Sequence, residues 1–322
     1  MIRRLLAIVL IITSLLSVLS GQEAGYGPAY QMMMMSNPGL TGSEGEGKLR
    51  LSYLNYYPGK SYNLHSIYVS YDSYFSGIHG GAGFFISDDY LGGIVNDMRG
   101  GLSYAYFLQA GKDFFINAGL SASFYHRGYS FGKAILPDQI DPMGGFSFPS
   151  GETLAASGRT VFDMGAGFII ISGKMMGGVS VNHLAEPGIS GSGFYYERLK
   201  RKLLIHLAGD YDLNKQAGMK IRPLAMMEIQ NKFLTWGSGV VFESQFLSVN
   251  MLLLANNENV IDIMTGFSLK TGKMTTFYNY RFNLVSGNNM LPFSHFLQTG
   301  LSFSFINIDK RNGIKTINFP KM

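Results

Sequence analysis

Along most of this chain, apolar residues recur at every second position, and polar or small residues fill the places between. In LHSIYVSYDSY (64–74), Ile67, Val69 and Tyr71 share a face with His65 at its end, while Ser66, Ser70 and Asp72 lie opposite. In FFINAGLSASFY (114–125), the apolar series is Phe114, Ile116, Ala118, Leu120, Ala122 and Phe124. FLSVNMLLL (246–254), TTFYNYRFNL (275–284) and LQTGLSFSF (297–305) repeat the pattern. A period of two with one apolar face specifies β-strands. An apolar face ~10 residues long suits a tilted membrane-spanning strand.

Fourteen such segments are expected, near 48–57, 63–73, 79–88, 99–109, 113–125, 159–171, 174–184, 201–212, 219–231, 233–243, 246–255, 260–269, 274–283 and 295–305. Composition narrows the class. Charged residues make up 15% of the chain, against ~25% in ordinary soluble domains. Aromatics reach 14%, and there are 41 glycines. Beyond the first twenty residues no apolar run is long enough for a transmembrane helix. The expected fold is therefore all-β: an outer-membrane antiparallel β-barrel of about 14 strands.

The connections sort themselves accordingly. Every second one is short: 74–78, Ala110-Gly111-Lys112, Ser172-Gly173, 213–218, Ser244-Gln245 and 270–273. The long ones, 89–98, 126–158, 185–200 and 284–294, all fall at the other end. Short periplasmic turns with long outer loops are the asymmetry of outer-membrane barrels, and a soluble sandwich has no reason to show it.

The chain opens like an export signal. Arg3 and Arg4 precede an apolar core, and Val18 and Ser20 fit small-residue cleavage, so the mature chain is expected to begin near Gly21. The domain reading is a signal peptide (1–20), an N-terminal plug or periplasmic lead-in (21–47), the barrel (48–305) and a basic periplasmic tail (306–322). Cysteine is absent, which excludes disulfides, thiolate nucleophiles and a lipid-anchored lipoprotein start. The net charge of +5 is modest and dispersed, so no nucleic-acid partner is expected.

The polar face of the strands carries Asp163, His206, Asp210, Lys220, Arg222, Glu228, Asp262 and Arg281. Pointing into a lumen, these would line a pore, dock a plug, or simply fill the barrel with ion pairs. Charge facing lipid would instead cost ~2–4 kcal/mol near the bilayer midplane. No catalytic constellation stands out, and no enzyme, metal site or cofactor is expected. The six histidines are dispersed, and nothing supports His126 and Ser130 as a pair. Asp88, Asp89 and Asp97 in ISDDYLGGIVND form a weak candidate for calcium but lack EF-hand spacing. DQIDP (138–142) is equally weak. The tail, with Lys310, Arg311 and Lys315, is a candidate docking arm for a periplasmic partner. In MMMMSNPGLTG (32–42), pliable methionines precede a turn at Asn37-Pro38-Gly39, and this stretch is expected to lie against or inside the barrel.

An ordered set of short motifs runs through the chain: the Asn37-Pro38-Gly39 to Gly42 start, SYDSY (70–74), GGAGFFISDDYLGG (80–93), GLSYAY (101–106), INAGLSASFYHRG (116–128), Asp141-Pro142, DMGAGF (163–168) and GGVSVNHLAEP (177–187). Together they resemble the PorP/SprF family of Bacteroidetes outer-membrane proteins, associated with type IX secretion and gliding motility. The resemblance implies a non-enzymatic barrel in the lipid bilayer of the outer membrane. Its partners would be periplasmic type IX secretion components and a secreted surface-protein client, whose export or surface retention it would serve. The N-terminal motif (Asn37, Pro38, Gly39, Gly42) and the basic tail are the candidate partner-binding residues. The alternative is a diffusion channel or transporter for small or hydrophobic solutes.

Overall fold

The computed structural model describes residues 32–59, 64–131, 137–141, 145–146, 151, 157–189, 197–214, 216–257, 259–285 and 295–305. Fourteen strands form one closed antiparallel barrel. They are β1 (Gly47–Tyr56), β2 (Leu64–Phe75), β3 (Gly80–Leu91), β4 (Val95–Gln109), β5 (Phe114–Tyr129), β6 (Ser157–Ser172) and β7 (Met175–Asn182). The circuit continues through β8 (Lys202–Gly209), β9 (Met219–Gln230), β10 (Phe233–Glu243), β11 (Leu247–Asn256), β12 (Ile261–Thr271), β13 (Met274–Val285) and β14 (Phe296–Phe305). Each strand pairs with its sequence neighbours. Closure comes from β1 on β14, in register from Gly47 opposite Phe305 to Tyr56 opposite Phe296. No strand lacks a partner on either side, as a bilayer requires.

Burial is inverted relative to a soluble protein. On β2 the buried residues are Ser66, Tyr68, Ser70, Asp72 and Ser73, while Ile67 is 45% exposed. On β5, Leu120 and Phe124 are 65% and 64% exposed, while Asn117 is fully buried. A soluble sheet would turn these faces the other way. Among the described residues no helix is long and apolar enough to cross a membrane, so crossing falls to the strands.

At one end the turns are tight. Gly173 (φ 58°) and Gly272 (φ 61°) occupy left-handed positions that only glycine adopts freely. The structure departs from expectation in three places, two at the other end and one at this end. The long connection expected over 89–98 is instead ladder up to Leu91 opposite Val95, and only Gly92 to Ile94 turn the chain. Alternation persists through that stretch, and the positive φ of Gly92 and Gly93 makes the tight reversal feasible. β5 and β6 likewise extend to Tyr129 opposite Ser157, so the loop between them begins later than expected. At the short-turn end, the segment expected as one strand over 201–212 breaks at Asp210, whose N–H donates to Lys174 O in the turn before β7, and resumes as Tyr211–Asn214.

The lumen is not uniformly polar. Leu54, Tyr56, Leu252, Met264 and Phe296 form one apolar cluster inside it. Beside them a hydrogen-bonded ladder joins Ser52, Gln298, Asn279 and Asn250 across four strands, with distances of 2.9–3.1 Å. Each amide there donates to the next group along, which offsets most of the penalty of burying it, and only Asn250 Oδ1 at the end of the row is left without a partner.

Candidate functional site

Ahead of β1, the chain does not stay at the rim. Residues 32–46 run up inside the barrel. Met33–Ser36 form a single helical turn, α1, closed by Asn37 N–H donating to Met33 O at 2.8 Å. The helix stops there because Pro38 forces the preceding residue into extended backbone (Asn37 φ −151°, ψ 111°). Pro38 then opens a 3₁₀ turn, Pro38–Leu40, whose Gly39 N–H donates to Asn37 Oδ1 at 2.9 Å.

The methionines divide between two pockets of the inner wall. Met33 and Leu40 pack with Ile169, Ile171, Met176 and Ala208. Met32 and Met34 pack on Tyr68 and Phe85. Unbranched thioethers fit such irregular surfaces without a fixed shape.

Polar contacts fasten the same segment. Asn37 Nδ2 shares its hydrogens among Phe168 O (3.4 Å), Val179 O (3.3 Å) and His206 Nε2 (3.1 Å). Two carbonyls orient that amide, so His206 Nε2 accepts and is the unprotonated nitrogen of a neutral ring. Ser180 donates to Ser36 O, Asn182 to Met35 O, and Asn117 to Gly39 O. Thr41 bonds Ser103 at 2.6 Å, and Gly42 N–H donates to Asp72 Oδ2 at 2.6 Å. Where the segment joins β1, Glu44 pairs with Lys48 and with Arg50 (3.3 Å), and Arg50 also pairs with Asp72.

Glycines make room for it. A Cβ on Gly119 would land on the Pro38 carbonyl, one on Gly167 on Asn37 Oδ1, and one on Gly81 on Thr41 O. One on Gly83 would lie 2.8 Å from Met34 Sδ. The wall thus carries a groove of missing side chains along the path of the plug, contributed by GGAG, INAGLS and DMGAGF. These short motifs, scattered in sequence, meet the NPGLTG segment at one place.

Asn37, Pro38 and Gly39 are buried against this wall, and Gly42 beside them; in the described structure their contacts are to the chain itself. The eight charged residues of the strands' polar face lie in three groups and two single positions. Asp210 binds Lys220 (3.1 Å) and Arg222 (3.3 Å), and Arg222 also reaches Glu243. Asp262 binds Arg281, with Asn283 donating to it at 2.8 Å. Asp163 binds His183 at 2.6 Å. His206 holds the plug. Glu228 sits opposite Leu204 on the same inner register as Arg222. Sequence reasoning missed Glu44, Arg50, Asp72 and the Asp97–Arg127 pair (2.7 Å). For the four that lie on strands the signal is a charged residue at a lumen-parity position, visible once strand boundaries are known; Glu44 lies ahead of β1 and carries no such signal.

The acidic stretch is not a calcium loop. Asp89 and Asp97 face each other across β3 and β4 on the inner side, Asp88 takes the opposite face, and Arg127 occupies Asp97. Among the described residues no group of three or more His, Cys, Asp or Glu could hold a metal ion. Asp138 accepts the Gly151 N–H at 2.8 Å, Ile140 and Asp141 pair with Phe146 and Gly145, and Pro142 lies outside the described residues. His126 bonds Thr160 at 2.8 Å rather than Ser130. The signal segment 1–20 and the tail residues Lys310, Arg311 and Lys315 lie outside the described residues.

Known proteins frame the site. The profile of the family described as "Type IX secretion system membrane protein PorP/SprF" matches residues 19–305. No curated protein matches the chain. Among solved structures, a TodX ΔS2S3 mutant monoaromatic hydrocarbon channel aligns at 12% identity, covering 89% of this chain and 97% of that chain, with a TM-score of 0.52. The Ralstonia pickettii toluene transporter TbuX aligns at 10% identity, covering 89% and 96%, with a TM-score of 0.49. Acinetobacter baumannii Omp33 aligns at 10% identity, covering 82% and 100%, with a TM-score of 0.45. At these identities the likeness is one of barrel fold.

Proposed function

The chain belongs to the PorP/SprF family of type IX secretion system membrane proteins, and on that premise we propose that this outer-membrane barrel works by holding other proteins rather than by passing solutes. In this reading it is a component or partner of the secretion system that helps export, or retain at the surface, a secreted client. The observation that carries it is the plug: Met32 to Ser43 occupy the lumen where a diffusion path would have to run. A transporter or diffusion channel would need that path free.

With short turns at the periplasmic end, the loops near 126–158 and 185–200 would meet the client. The short turns and the basic tail, including Lys310, Arg311 and Lys315, would meet periplasmic components. The plug motif Asn37, Pro38, Gly39 and Gly42 would act indirectly, by holding the barrel in one shape for both. No reaction is assigned, because the family is described as a secretion system membrane protein.

Affinity purification from native outer membrane, after cross-linking, tests the reading. Periplasmic type IX components and a surface protein should co-purify, and truncation after Phe305 should lose the periplasmic set. Steady conductance in planar bilayers with no co-purifying protein would favour the channel reading instead.

A further inference from the structure

At the long-loop end the barrel wall is stepped. β6 runs sixteen residues and β7 only eight. β5 follows β6 to its tip, with Tyr129 opposite Ser157. β7 pairs only along 166–172. One more bond, Leu184 N–H donating to Met164 O at 3.0 Å, ends the contact. His183 (φ 58°) has by then turned the chain over the lumen, where Ile189 and Leu199 pack on Tyr125 with Val161 beside them.

That leaves one side of β6 open over 157–163. Strand residues alternate in the side to which their backbone groups point. Gly173 N–H donates to Asp113 O at 2.9 Å, toward β5, and Met164 O accepts on the β7 side. Odd-numbered residues of β6 therefore bond β5, and Gly158, Thr160 and Phe162 turn N–H and C=O toward the line that β7 vacates. Among the described residues nothing on that side bonds them, and all three are exposed. The described parts of the nearby loops bond one another instead: Ile140 and Asp141 pair with Phe146 and Gly145, Asp138 holds Gly151, and Ile189 N–H donates to Glu197 O.

The open edge starts where the membrane ends. Outward-facing residues of β6 are apolar from Ile170 to Phe162 and give way to Thr160. On β5, Phe124 gives way to His126, which bonds Thr160 at 2.8 Å. Phe124 and Phe162 form a T-shaped pair, 5.8 Å between centroids, at the level of an outer aromatic belt. A strand edge standing in water is a template for another strand. A second copy of this chain does not fit it. Two identical edges pair antiparallel about a two-fold axis perpendicular to the strands. Strands tilted only ~35–45° keep that axis off the bilayer normal, so one barrel would have to stand inverted.

We propose that residues 157–163 of β6 take one extended segment of the secreted client as an added strand, antiparallel to β6 in the line that β7 leaves. This rests on the client-holding reading above and gives it a site. Gly158, Thr160 and Phe162 each supply one N–H and one C=O, a pattern that only an extended polypeptide matches along its length. The client segment carries an apolar side chain beside the Phe124–Phe162 pair and threonine- or valine-like residues above it, next to Thr160 and His126.

The test uses the full-length barrel in detergent and a fluorescein-labelled peptide of about eight residues, threonine alternating with valine and a lysine at each end. A second peptide is the same but N-methylated throughout its core. Hydrogen exchange resolved to single amides reads the edge directly. In the free barrel Thr160 and Phe162 should exchange fast while Val161, bonded to β5, stays protected; the plain peptide should slow the first two about tenfold or more. The N-methylated peptide should bind at least about tenfold more weakly, having lost its donors. Thr160→Pro removes only an edge-facing N–H, where a strand tolerates proline. That variant should keep heat-modifiable migration and lose the peptide; in the cross-linked purification it should lose the client and keep the periplasmic components. Three results each overturn the proposal: Thr160 and Phe162 already protected in the free barrel, which means its own loops cover the edge; no binding of the plain peptide, or equal binding of the two; or undiminished client capture by a folded Thr160→Pro barrel. A wild type that captures no client overturns the client-holding reading and the occupant named here with it, whereas a captured client alongside any of those three strikes the edge alone.

Discussion

Gly119 and Gly167 differ from Gly100 in what stands opposite them. A methyl group at either of the first two would collide with the plug, whereas nothing lies within 4 Å of one at Gly100. Gly119→Ala and Gly167→Ala should therefore unseat Asn37-Pro38-Gly39 while leaving the strands paired, and Gly100→Ala should do neither. Limited proteolysis near residue 40, scored against retained heat-modifiability, separates the three. Glu44 provides the titratable counterpart. Burial alone would raise its carboxyl, but Lys48 and Arg50 overcome that and lower it to about 2, from 4.5. A depressed folded-state value means the contribution is fully present above the unfolded value and fades as pH falls from about 4.5 toward 2. The plug should accordingly hold across neutral pH and loosen over that acid window. Glu44→Gln should loosen it at neutral pH and flatten its acid response in the same assay.

At the scale of elements, the period-two pattern makes opposite predictions for adjacent residues. Leu120 is 65% exposed on the outer face of β5, and Ser121 beside it faces the lumen. Leu120→Arg should lower barrel stability by about 2–4 kcal/mol if the site lies near the bilayer midplane. Ser121→Ala should change it by under about 1 kcal/mol; unfolding titrations in lipid vesicles measure both. The amide ladder behaves differently again. Asn279 links Asn250 to Gln298 in the seam near β1 and β14, so Asn279→Ala leaves both amides wanting a partner and should cost about 2–4 kcal/mol in the same titration. The strands themselves were legible because alternation is a local property. Their ends at the long-loop side were not, since whether a stretch such as 89–98 loops or pairs depends on its neighbour, β4 continuing opposite β3.

For the whole molecule, the plug decides between a closed barrel and a conduit. Wild-type protein in planar bilayers should show little steady conductance, and deletion of residues 32–42 should raise it severalfold while strand content by circular dichroism stays within error. If both conduct equally, the plug does not control the lumen.

Period-two hydrophobicity, low charge and sorted connections were enough by themselves for an antiparallel membrane barrel of fourteen strands, because each follows from bilayer physics acting on one strand or one turn at a time. The sequence also marked which face of each strand is polar. What stands opposite what inside the lumen was settled only by closure. Asn37 meets His206 across 169 positions, and Gln298 meets Ser52 across 246. No local pattern encodes such separations; they exist because β1 pairs with β14 and the wall then curves around the plug. The glycines of GGAG, INAGLS and DMGAGF could be read in sequence only as sites of close packing. Tertiary structure supplied the object they pack against, the chain's own N-terminal segment.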